Sequence, residues 1–298
     1  MAIGAFFGFL GPEEVPRLRR LGLVTDYVGL FAVEGGSVLG QVLVLRILYR
    51  TSSGLEPIAG ISSVTTRTDA RRRGVARTLL QEVHRREAAA GRRFALLWTS
   101  QSWFAHRLYE RLGYRDVWTP PSAVRVFPRA RGSGRDRLRA VAAGELAAVE
   151  RLHADLTRGD PGFSARPRGT LRLLQAGGDL DLANLMVLGP RGSLQGYGVL
   201  GKAPGLRRCG EFVARPQASS ALLDSLERRA APGVLWMGNS PARALRPELR
   251  TRGYLLRSEA EWRVLMARPL SGSREPAALR RELGVDQPTF RCMSLDRF

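Results

Sequence analysis

The feature that most limits how this chain can fold is a strand that runs into a basic turn and then into a helix. Residues Ile58–Thr66 are rich in apolar and β-branched residues and lack proline, which predicts a strand. The turn is Arg71, Arg72, Arg73 and Gly74, and apolar residues recur at helical spacing after it. The turn therefore lies at a helix N-terminus, where unpaired backbone N–H groups and the helix dipole favour a phosphate.

The residues of the turn suit a phosphate-bearing ligand. Gly74 has no Cβ and lets the backbone approach a ligand closely, while the three arginines supply positive charge and forked hydrogen-bond donors. Because arginine is abundant in this chain, a solvated basic turn that only caps an ordinary helix is the alternative interpretation.

A second strand and a second helix follow. The apolar run Phe94–Trp98 predicts a buried strand, and Ser102–Leu112 has the apolar spacing of a helix. Gly113 stands where a C-cap glycine is expected, and Tyr114 begins the next extended run. The order of elements is therefore strand, basic turn, helix, strand and helix.

Two motifs on these elements resemble those of the GCN5-related N-acetyltransferases (GNAT). The first, Arg71-x-x-Gly74-x-Ala76, looks like that family's acyl-CoA signature. The second resembles its later Asn-x-x-Ala-x-x-x-Tyr-Glu-x-x-Gly-Phe segment and reads Ser102-x-x-Ala105-x-x-x-Tyr109-Glu110-x-x-Gly113-Tyr114. Serine replaces the common asparagine, and tyrosine replaces the usual phenylalanine.

The resemblance implies a fold and a cosubstrate. The fold class is α+β, a mixed three-layer α/β/α arrangement whose mostly antiparallel sheet is splayed at the cofactor site and flanked by helices. The cosubstrate is acetyl-CoA, bound without a metal. Backbone groups at Val64, Thr65 and Thr66 would pair with the pantetheine arm, and Ser102 is a further candidate contact. The pyrophosphate would be wrapped by the segment Arg71, Arg72, Arg73, Gly74, Val75, Ala76 and Arg77.

The resemblance also implies acyl transfer to an amine, with Tyr109 protonating the departing thiolate. A tyrosine with an ordinary pKa of about 10 holds its proton at neutral pH and can donate it. The alternative for Tyr109 is a tyrosine that only packs at the rim of the domain. The general base is left open among the nearby acids and histidines, which are Asp26, Glu34, Glu56, His84 and His106.

Composition narrows the remaining functional classes. The chain has 298 residues, enough for two domains, and a formal net charge of +20. Lys202 is the only lysine, and the arginines are spread along the chain, so a nucleic-acid partner is not favoured. Attraction of polyanionic CoA is a simpler use of this charge. The alternative function is a non-catalytic acyl-CoA sensor or nucleic-acid-binding protein on the same scaffold.

Other sequence features bear on location and partners. No run reaches the roughly 20 apolar residues of a membrane span, and Gly4–Leu10 is expected to be a first strand, not a signal peptide. Cys209 and Cys292 form no metal-binding spacing with the histidines. We therefore expect a reduced, cytoplasmic, metal-free protein that acts on an amine away from membranes, with self-association left open.

The second half of the chain repeats the first. Residues 221–229, 233–236 and 249–254 echo residues 78–86, 93–98 and 109–114 at an offset of 140 to 143. Leu249 replaces Tyr109, however, and no Arg-x-x-Gly-x-Ala pattern occurs around Glu211–Pro216. We expect two tandem GNAT-like domains, of which the second is degenerate; chance similarity between two αβ segments is the alternative.

The expected domain boundaries follow from this repeat. A catalytic domain at 1–128 ends in closing strands within Asp116–Phe127, and a linker covers 129–137. A degenerate domain at 138–270 begins with a helix at Leu138–Thr157, and a docked tail covers 271–298.

The tandem arrangement resembles the aminoglycoside-acetylating "enhanced intracellular survival" branch of the superfamily. In that branch a C-terminal carboxylate enters the active site, so the terminal carboxylate of Phe298 is a second catalytic candidate. The chain lacks the length for the third domain of that branch. The acceptor is left open among aminoglycosides, polyamines, amino-acid derivatives and protein amines.

Overall fold

The computed structural model describes residues 27–130, 137–163, 165–203, 205–238, 245–257, 263–272, 275–290 and 292. The strands are β1 (Tyr27–Glu34), β2 (Ser37–Thr51), β3 (Gly54–Thr66), β4 (Phe94–Thr99), β5 (Arg115–Trp118), β6 (Ser122–Phe127), β7 (Leu138–Ala140), β8 (Leu185–Leu188), β9 (Gly196–Ala203), β10 (Leu206–Ala214), β11 (Gly233–Met237), β12 (Leu255–Arg257) and β13 (Val264–Pro269). The helices are α1 (Val75–Ala89), α2 (Phe104–Arg111), α3 (Leu146–Thr157), α4 (Thr170–Ala176), α5 (Ser219–Ala230), α6 (Arg246–Thr251) and α7 (Pro276–Leu283).

The first of two compact units is built on a six-stranded sheet in the order β1-β2-β3-β4-β13-β5. Its neighbours are antiparallel except for the parallel pair β3–β4. Apolar side chains of α1 and α2, such as Leu80 and Tyr109, join one core with the sheet. On the opposite face the Tyr49 hydroxyl donates to the carbonyl oxygen of Leu283 in α7, at 2.8 Å. The predicted three-layer arrangement is confirmed.

The second unit has a seven-stranded sheet in the order β12-β6-β11-β10-β9-β8-β7, in which β10 and β11 form a parallel pair. Leu222 of α5 and Leu249 of α6 join the core on one face. Val149 of α3 and Leu171 of α4 join the core on the other. Each unit therefore places one parallel strand pair within an otherwise antiparallel sheet between helices, which confirms the expected two-domain α+β fold.

The two units divide the chain differently from the boundaries expected along the sequence. The described residues up to Thr119 and from Arg263 to Val285 form the first unit, and the remainder form the second. Strand β6, expected to close the first sheet, pairs with β11 and β12 instead. Strand β13 lies between β4 and β5 of the first sheet, although in sequence it follows the strands of the second unit. A short apolar strand fits either sheet, so its partner is not evident from its own residues.

The helix predicted at Leu138–Thr157 is wrong over its first eight residues. Leu138–Ala140 pairs with β8 as a strand, and the helix begins only at Leu146. Glu145 separates the two because its carboxylate accepts hydrogen bonds from Arg139, at 2.6 Å, and from the backbone N–H of Ala142, at 3.1 Å. The apolar spacing that predicted the helix holds from Leu146 onward.

The turn that ends α2 recurs at the end of α6. Gly113 and Gly253 have positive φ angles of 90° and 82°, which favour glycine. The N–H of Tyr114 donates to the carbonyl of Tyr109 at 3.1 Å, and the N–H of Tyr254 donates to that of Leu249 at 2.9 Å. The sequence echo thus corresponds to the same local backbone structure in both units.

A buried histidine and a buried tyrosine are hydrogen-bonded inside the first unit. Nε2 of His84 and the hydroxyl of Tyr114 lie 2.8 Å apart. Burial, followed by the positive charge of Arg268, lowers the pKa of His84 to about 3, and burial raises the pKa of Tyr114. Both side chains are therefore neutral at neutral pH, and the pair ties α1 to the start of β5 without burying a charge.

We expect this pair to make the folded protein less stable as the pH falls below about 6.5. His84 takes up a proton near that pH when unfolded but only near pH 3 when folded, so between the two values the unfolded state binds more protons. Urea unfolding should show that the wild type loses about 1–2 kcal/mol more unfolding free energy than His84→Gln between about pH 7.5 and about pH 5. A stability difference between the two proteins that is constant with pH would contradict this assignment.

Candidate functional site

The site expected from the sequence lies where β3 and β4 diverge. The two strands pair only at Ala59–Ala95, Gly60–Leu96 and Ile61–Leu97. Beyond Ile61, β3 continues with β2 as far as Thr66, while β4 continues with β13 as far as Thr99. A bulge centred on Ser63, whose φ is 49°, accompanies the divergence. A cleft therefore opens between two strands that are neighbours at their other ends.

Val64, Thr65 and Thr66 line the β3 side of this cleft. Thr65 and Thr66 pair with β2, and Val64 lies in the bulge. On the cleft side no strand among the described residues pairs with any of the three. The hydroxyl of Thr65 is buried and makes no hydrogen bond with any residue that the structure describes. Unpaired backbone groups and an unpaired hydroxyl are what an amide-containing ligand arm, such as pantetheine, would satisfy.

The basic turn connects this strand to α1. A 3-10 turn at Thr68–Ala70 precedes the arginines, and Arg72 has a φ of 63°, which is unusual for a residue with a side chain. Gly74, with a φ of 84°, is the N-cap of the fifteen-residue helix α1. Arg71, Arg72, Arg73 and Arg77 are exposed. The first N–H groups of α1 and these exposed guanidinium groups therefore lie close together in the chain, an arrangement that favours an anion.

Arg73 is held by a surface ion pair. Its Nη2 lies 2.7 and 2.8 Å from the two carboxylate oxygens of Glu34, and both side chains are well exposed. Exposed pairs of this kind contribute little to stability, so a phosphate could compete for Arg73 at small cost. The same hydrogen bond lowers the pKa of Glu34, which makes Glu34 a poor general base.

Gly40 of β2 lets the strand and the helix meet, and the sequence analysis did not single it out. A Cβ at this position would lie 2.7 Å from the carbonyl oxygen of Thr65 and 2.8 Å from Cγ1 of Val75. Glycine inside a predicted strand commonly marks such a close approach and was the available signal. Gly40 thus sets the position of the α1 N-terminus against the end of β3.

Tyr109 of α2 belongs to the same core as Leu97 and is packed edge-on against Tyr114, with ring centroids 5.8 Å apart. Burial raises the pKa of Tyr109 to about 12. Its phenol therefore stays protonated through the neutral range, the form that a proton donor needs. The His84–Tyr114 hydrogen bond lies directly behind it and restrains the ring on which Tyr109 packs.

The other residues considered from the sequence differ in their surroundings. Ser102 is exposed, and its hydroxyl lies 2.8 Å from that of Ser100 just before α2. His106 is buried, with Nε2 2.9 Å from Asp116. Glu56 lies in the half of β3 away from the cleft; burial raises its pKa, but hydrogen bonds from Arg93 and Thr51 lower it below the ordinary value. Asp26 and Phe298 lie outside the described residues.

The second unit lacks this arrangement at the matching place. Eight residues, 67–74, separate β3 from α1, but only four, 215–218, separate β10 from α5. The shorter connection has no counterpart of the arginines or of Gly74. Glu211, beyond the parallel-paired part of β10, forms a buried ion pair with Arg166. A buried carboxylate with its own partner gives no reason for a phosphorylated ligand to bind there.

The part of the chain that the structure describes contains neither a membrane-spanning helix nor a metal-binding cluster. None of the helices there is long and apolar enough to cross a bilayer. No three histidine, cysteine, aspartate or glutamate side chains in those ranges are grouped so that they could hold a metal ion.

Comparison with known proteins agrees with the geometry of the first unit. Residues 8–117 match the model of the acetyltransferase (GNAT) domain family. The chain is 35% identical over 120 residues to the N-acetyltransferase Eis of Mycobacterium bovis and of Mycobacterium tuberculosis. The aligned region covers 38% of this chain and 28% of the relative, so the chain matches little more than a quarter of that protein's length.

Solved structures extend the likeness of fold to most of the chain. A GCN5-related N-acetyltransferase from Anabaena variabilis superposes with a TM-score of 0.64 at 17% identity, covering 91% of this chain and 69% of that one. One from Kribbella flavida superposes with a TM-score of 0.61 at 17% identity and covers 90% of this chain and 68% of that one. Eis1 of Mycobacterium abscessus superposes with a TM-score of 0.58 at 19% identity, covering 82% of this chain and 64% of that one. At these identities the likeness establishes the fold alone.

The first unit thus combines a splayed parallel strand pair, a basic loop at a helix N-terminus and a buried tyrosine. The family model identifies residues 8–117, which contain these features, as an acetyltransferase (GNAT) domain.

We expect Gly40→Ala to destabilise the protein by about 1–3 kcal/mol, because the added methyl group would overlap a backbone oxygen that cannot move freely. Urea unfolding measures the change. The matched control is Gly144→Ala, since a Cβ at Gly144 meets no atom within 4 Å and its φ is not positive. Equal stability of the two variants would contradict the proposed close approach.

Proposed function

We propose that the protein is an acyl-CoA-dependent N-acetyltransferase that transfers the acetyl group of acetyl-CoA to an amine. The observation that carries the proposal is the cleft between β3 and β4, with the basic loop after β3 and a protonated tyrosine on the neighbouring helix α2. The first unit is the catalytic one, and the second is a degenerate copy. Similarity to the N-acetyltransferase Eis over 120 residues supports the same chemistry. A reduced, cytoplasmic setting, as inferred from the sequence, remains part of the proposal.

Positively charged groups would bind the pyrophosphate of acetyl-CoA, and backbone groups of β3 would bind its pantetheine arm. The exposed guanidinium groups and the α1 N-terminus receive the pyrophosphate. Val64, Thr65 and Thr66 offer unpaired backbone groups to the pantetheine amides, and the buried Thr65 hydroxyl offers a further partner. Arg71 to Arg77 would thus form the phosphate end of the site, and Ser102, before α2, is a further candidate contact.

The chemistry requires few ionisable groups. A neutral amine attacks the thioester carbonyl carbon, the carbon–sulfur bond breaks, and the phenol of Tyr109 gives its proton to the sulfur. The amine nitrogen loses its extra proton to solvent, and the phenolate of Tyr109 takes a proton back from solvent. The pKa values of Glu34 and Glu56 are lowered, which makes both carboxylates weak bases. The rings of His84 and His106 are buried and hydrogen-bonded, so neither suits the role of a general base. These surroundings favour an amine that reaches the site in its neutral form. Phe298 remains a proposal carried by sequence resemblance.

Removing two loop arginines should weaken acetyl-CoA binding. For Arg72→Ala with Arg73→Ala, we expect the dissociation constant to rise about ten- to a hundredfold, because charged hydrogen bonds to phosphate are lost. Isothermal titration calorimetry measures the constant. The matched control, Arg85→Ala with Arg86→Ala, removes the same charge from the same helix about 15 Å or more further along. Equal affinity of both double variants would exclude the loop as the phosphate site.

Removing the phenol hydroxyl should slow the reaction without weakening binding. We expect Tyr109→Phe to lower kcat about a hundredfold, the usual scale of general acid catalysis, while acetyl-CoA affinity stays within about twofold. Thiol release measures turnover, and calorimetry measures affinity. Tyr49→Phe removes a buried phenol on the opposite face of the sheet and is the control for stability. Unchanged turnover of the variant would remove Tyr109 from the mechanism. If the wild-type protein binds acetyl-CoA but acetylates no amine, the alternative function, a non-catalytic sensor, is favoured.

A further inference from the structure

We propose that the acceptor is an amine that carries an aromatic ring and no additional positive charge, and that its ring binds on Trp98 and Trp118. The proposal rests on the acetyltransferase function above and names the substrate class of the same site. It follows from the position of the two tryptophans, from the face of the sheet that they occupy and from the distribution of charge around them.

Trp98 is the first residue of β4 beyond its pairing with β3. In β13, Leu265 is the partner of Trp98 on one side and of Trp118 on the other. The two tryptophans therefore form a row with Leu265 across three strands. Their ring centroids are 6.1 Å apart, and the ring planes are inclined at 68°. Both rings are partly exposed, so the row is an aromatic surface next to the point where the cleft opens.

The tryptophans lie on the face of the sheet opposite Tyr109. Leu97 and Met266 join the core under α1 and α2, together with Tyr109. Because side chains alternate along a strand, Trp98 and Leu265 point to the other face. The tyrosine can reach the sulfur from the helix side, which is filled by packed side chains. An amine must then approach the thioester carbon from the side on which the tryptophans lie.

The charge around this surface disfavours a polycationic acceptor. The described residues of the first unit include eighteen arginines, no lysine and nine carboxylates. Each of these carboxylates already has an arginine, a histidine or a helix N-terminus as partner: Glu34, Glu56, Asp69, Glu82, Glu87, Glu110, Asp116, Glu275 and Glu282. A polyamine or aminoglycoside would bring several ammonium groups into a region where the described carboxylates are already engaged.

Arg263 adds to the same preference. Its guanidinium carbon lies 4.8 Å from the centroid of the Trp98 ring, so one face of this ring already bears a cation. A second permanent cation on the row would be repelled at close range. A neutral amine with an aromatic ring gains edge-to-face contact with the tryptophans and meets no such repulsion.

The test compares three amines as acceptors: 2-phenylethylamine, 3-methylbutylamine and spermidine. The first two have one amine each and differ in the ring, while the third is polycationic. We expect kcat/KM for 2-phenylethylamine to exceed that for either of the others about tenfold. Trp98→Leu and Trp118→Leu should each lower it about fivefold. The rate with 3-methylbutylamine should change less than about twofold, and Trp98→Phe should retain most of the activity with the aromatic amine.

The second unit offers a matched control for these variants. Trp236 also lies under an arginine, with the guanidinium carbon of Arg208 4.2 Å from the ring centroid. Trp236→Leu therefore removes a tryptophan from the same kind of pair outside the proposed site and should leave the preference unchanged. Preference for spermidine, equal rates with the two monoamines, or equal losses for both in the Trp98 and Trp118 variants would overturn the proposal.

Failure of the acceptor proposal can be told apart from failure of the proposed function. If acetyl-CoA binds and no amine is acetylated, calorimetric titration of 2-phenylethylamine into the acetyl-CoA complex decides the aromatic site. Absence of saturable binding up to about 10 mM overturns it. If acetyl-CoA itself does not bind, the acetyltransferase function fails. The same titration into the protein alone then decides whether Trp98 and Trp118 bind an aromatic amine.

Discussion

The divergence of β3 from β4 is the constraint on which the rest of the first unit depends. Parallel strands that stay paired satisfy each other's backbone groups, and here the pairing stops after three residue pairs. The residues at the open end of β3 are partly exposed, so their unpaired backbone groups are accessible to a ligand rich in amides. The bulge at Ser63 turns β3 away, Gly40 lets α1 approach its end, and the basic loop fills the connection. Each of these features is explained by the cleft.

The second unit has the same strand and helix arrangement with a shorter loop between the parallel-paired strand and its helix. It keeps the parallel pair, the helix that follows it and the glycine turn before Tyr254. These features belong to the packing of sheet and helices, so they persist without the connection that would bind phosphate. Glu211 and Arg166 form their buried ion pair near the corresponding end of β10. The fold does not depend on the proposed cofactor site, because the second unit keeps the strand and helix without the longer basic loop.

Local features of the sequence were good predictors, and long-range pairing was not. The strand ending at Thr66, the helix beginning at Val75 and the glycine turn at Gly113 follow from spacing and cap chemistry, and the structure confirms them. The placement of β6 and β13 could not follow from such signals, because it depends on which sheet offers a free edge. Gly40 needed the three-dimensional contact with Val75 before its role was evident. The strand predicted at Gly4–Leu10 and the role predicted for Phe298 concern residues outside the described ranges.

The contrast between local sequence features and long-range pairing also distinguishes the acetyl-CoA side of the proposed site from its amine side. The family match ends at residue 117 and contains the basic loop, the lining of β3 and Tyr109. Three residues of the proposed acceptor surface lie beyond it: Trp118, Leu265 and Arg263. Leu265 belongs to β13 and Arg263 directly precedes that strand, so both join the first sheet from the far end of the chain. The residues proposed to bind acetyl-CoA lie on one continuous stretch, whereas the surface proposed to face the acceptor is completed by residues distant in sequence. Similarity within the matched stretch therefore supports shared donor chemistry and carries no information on the amine.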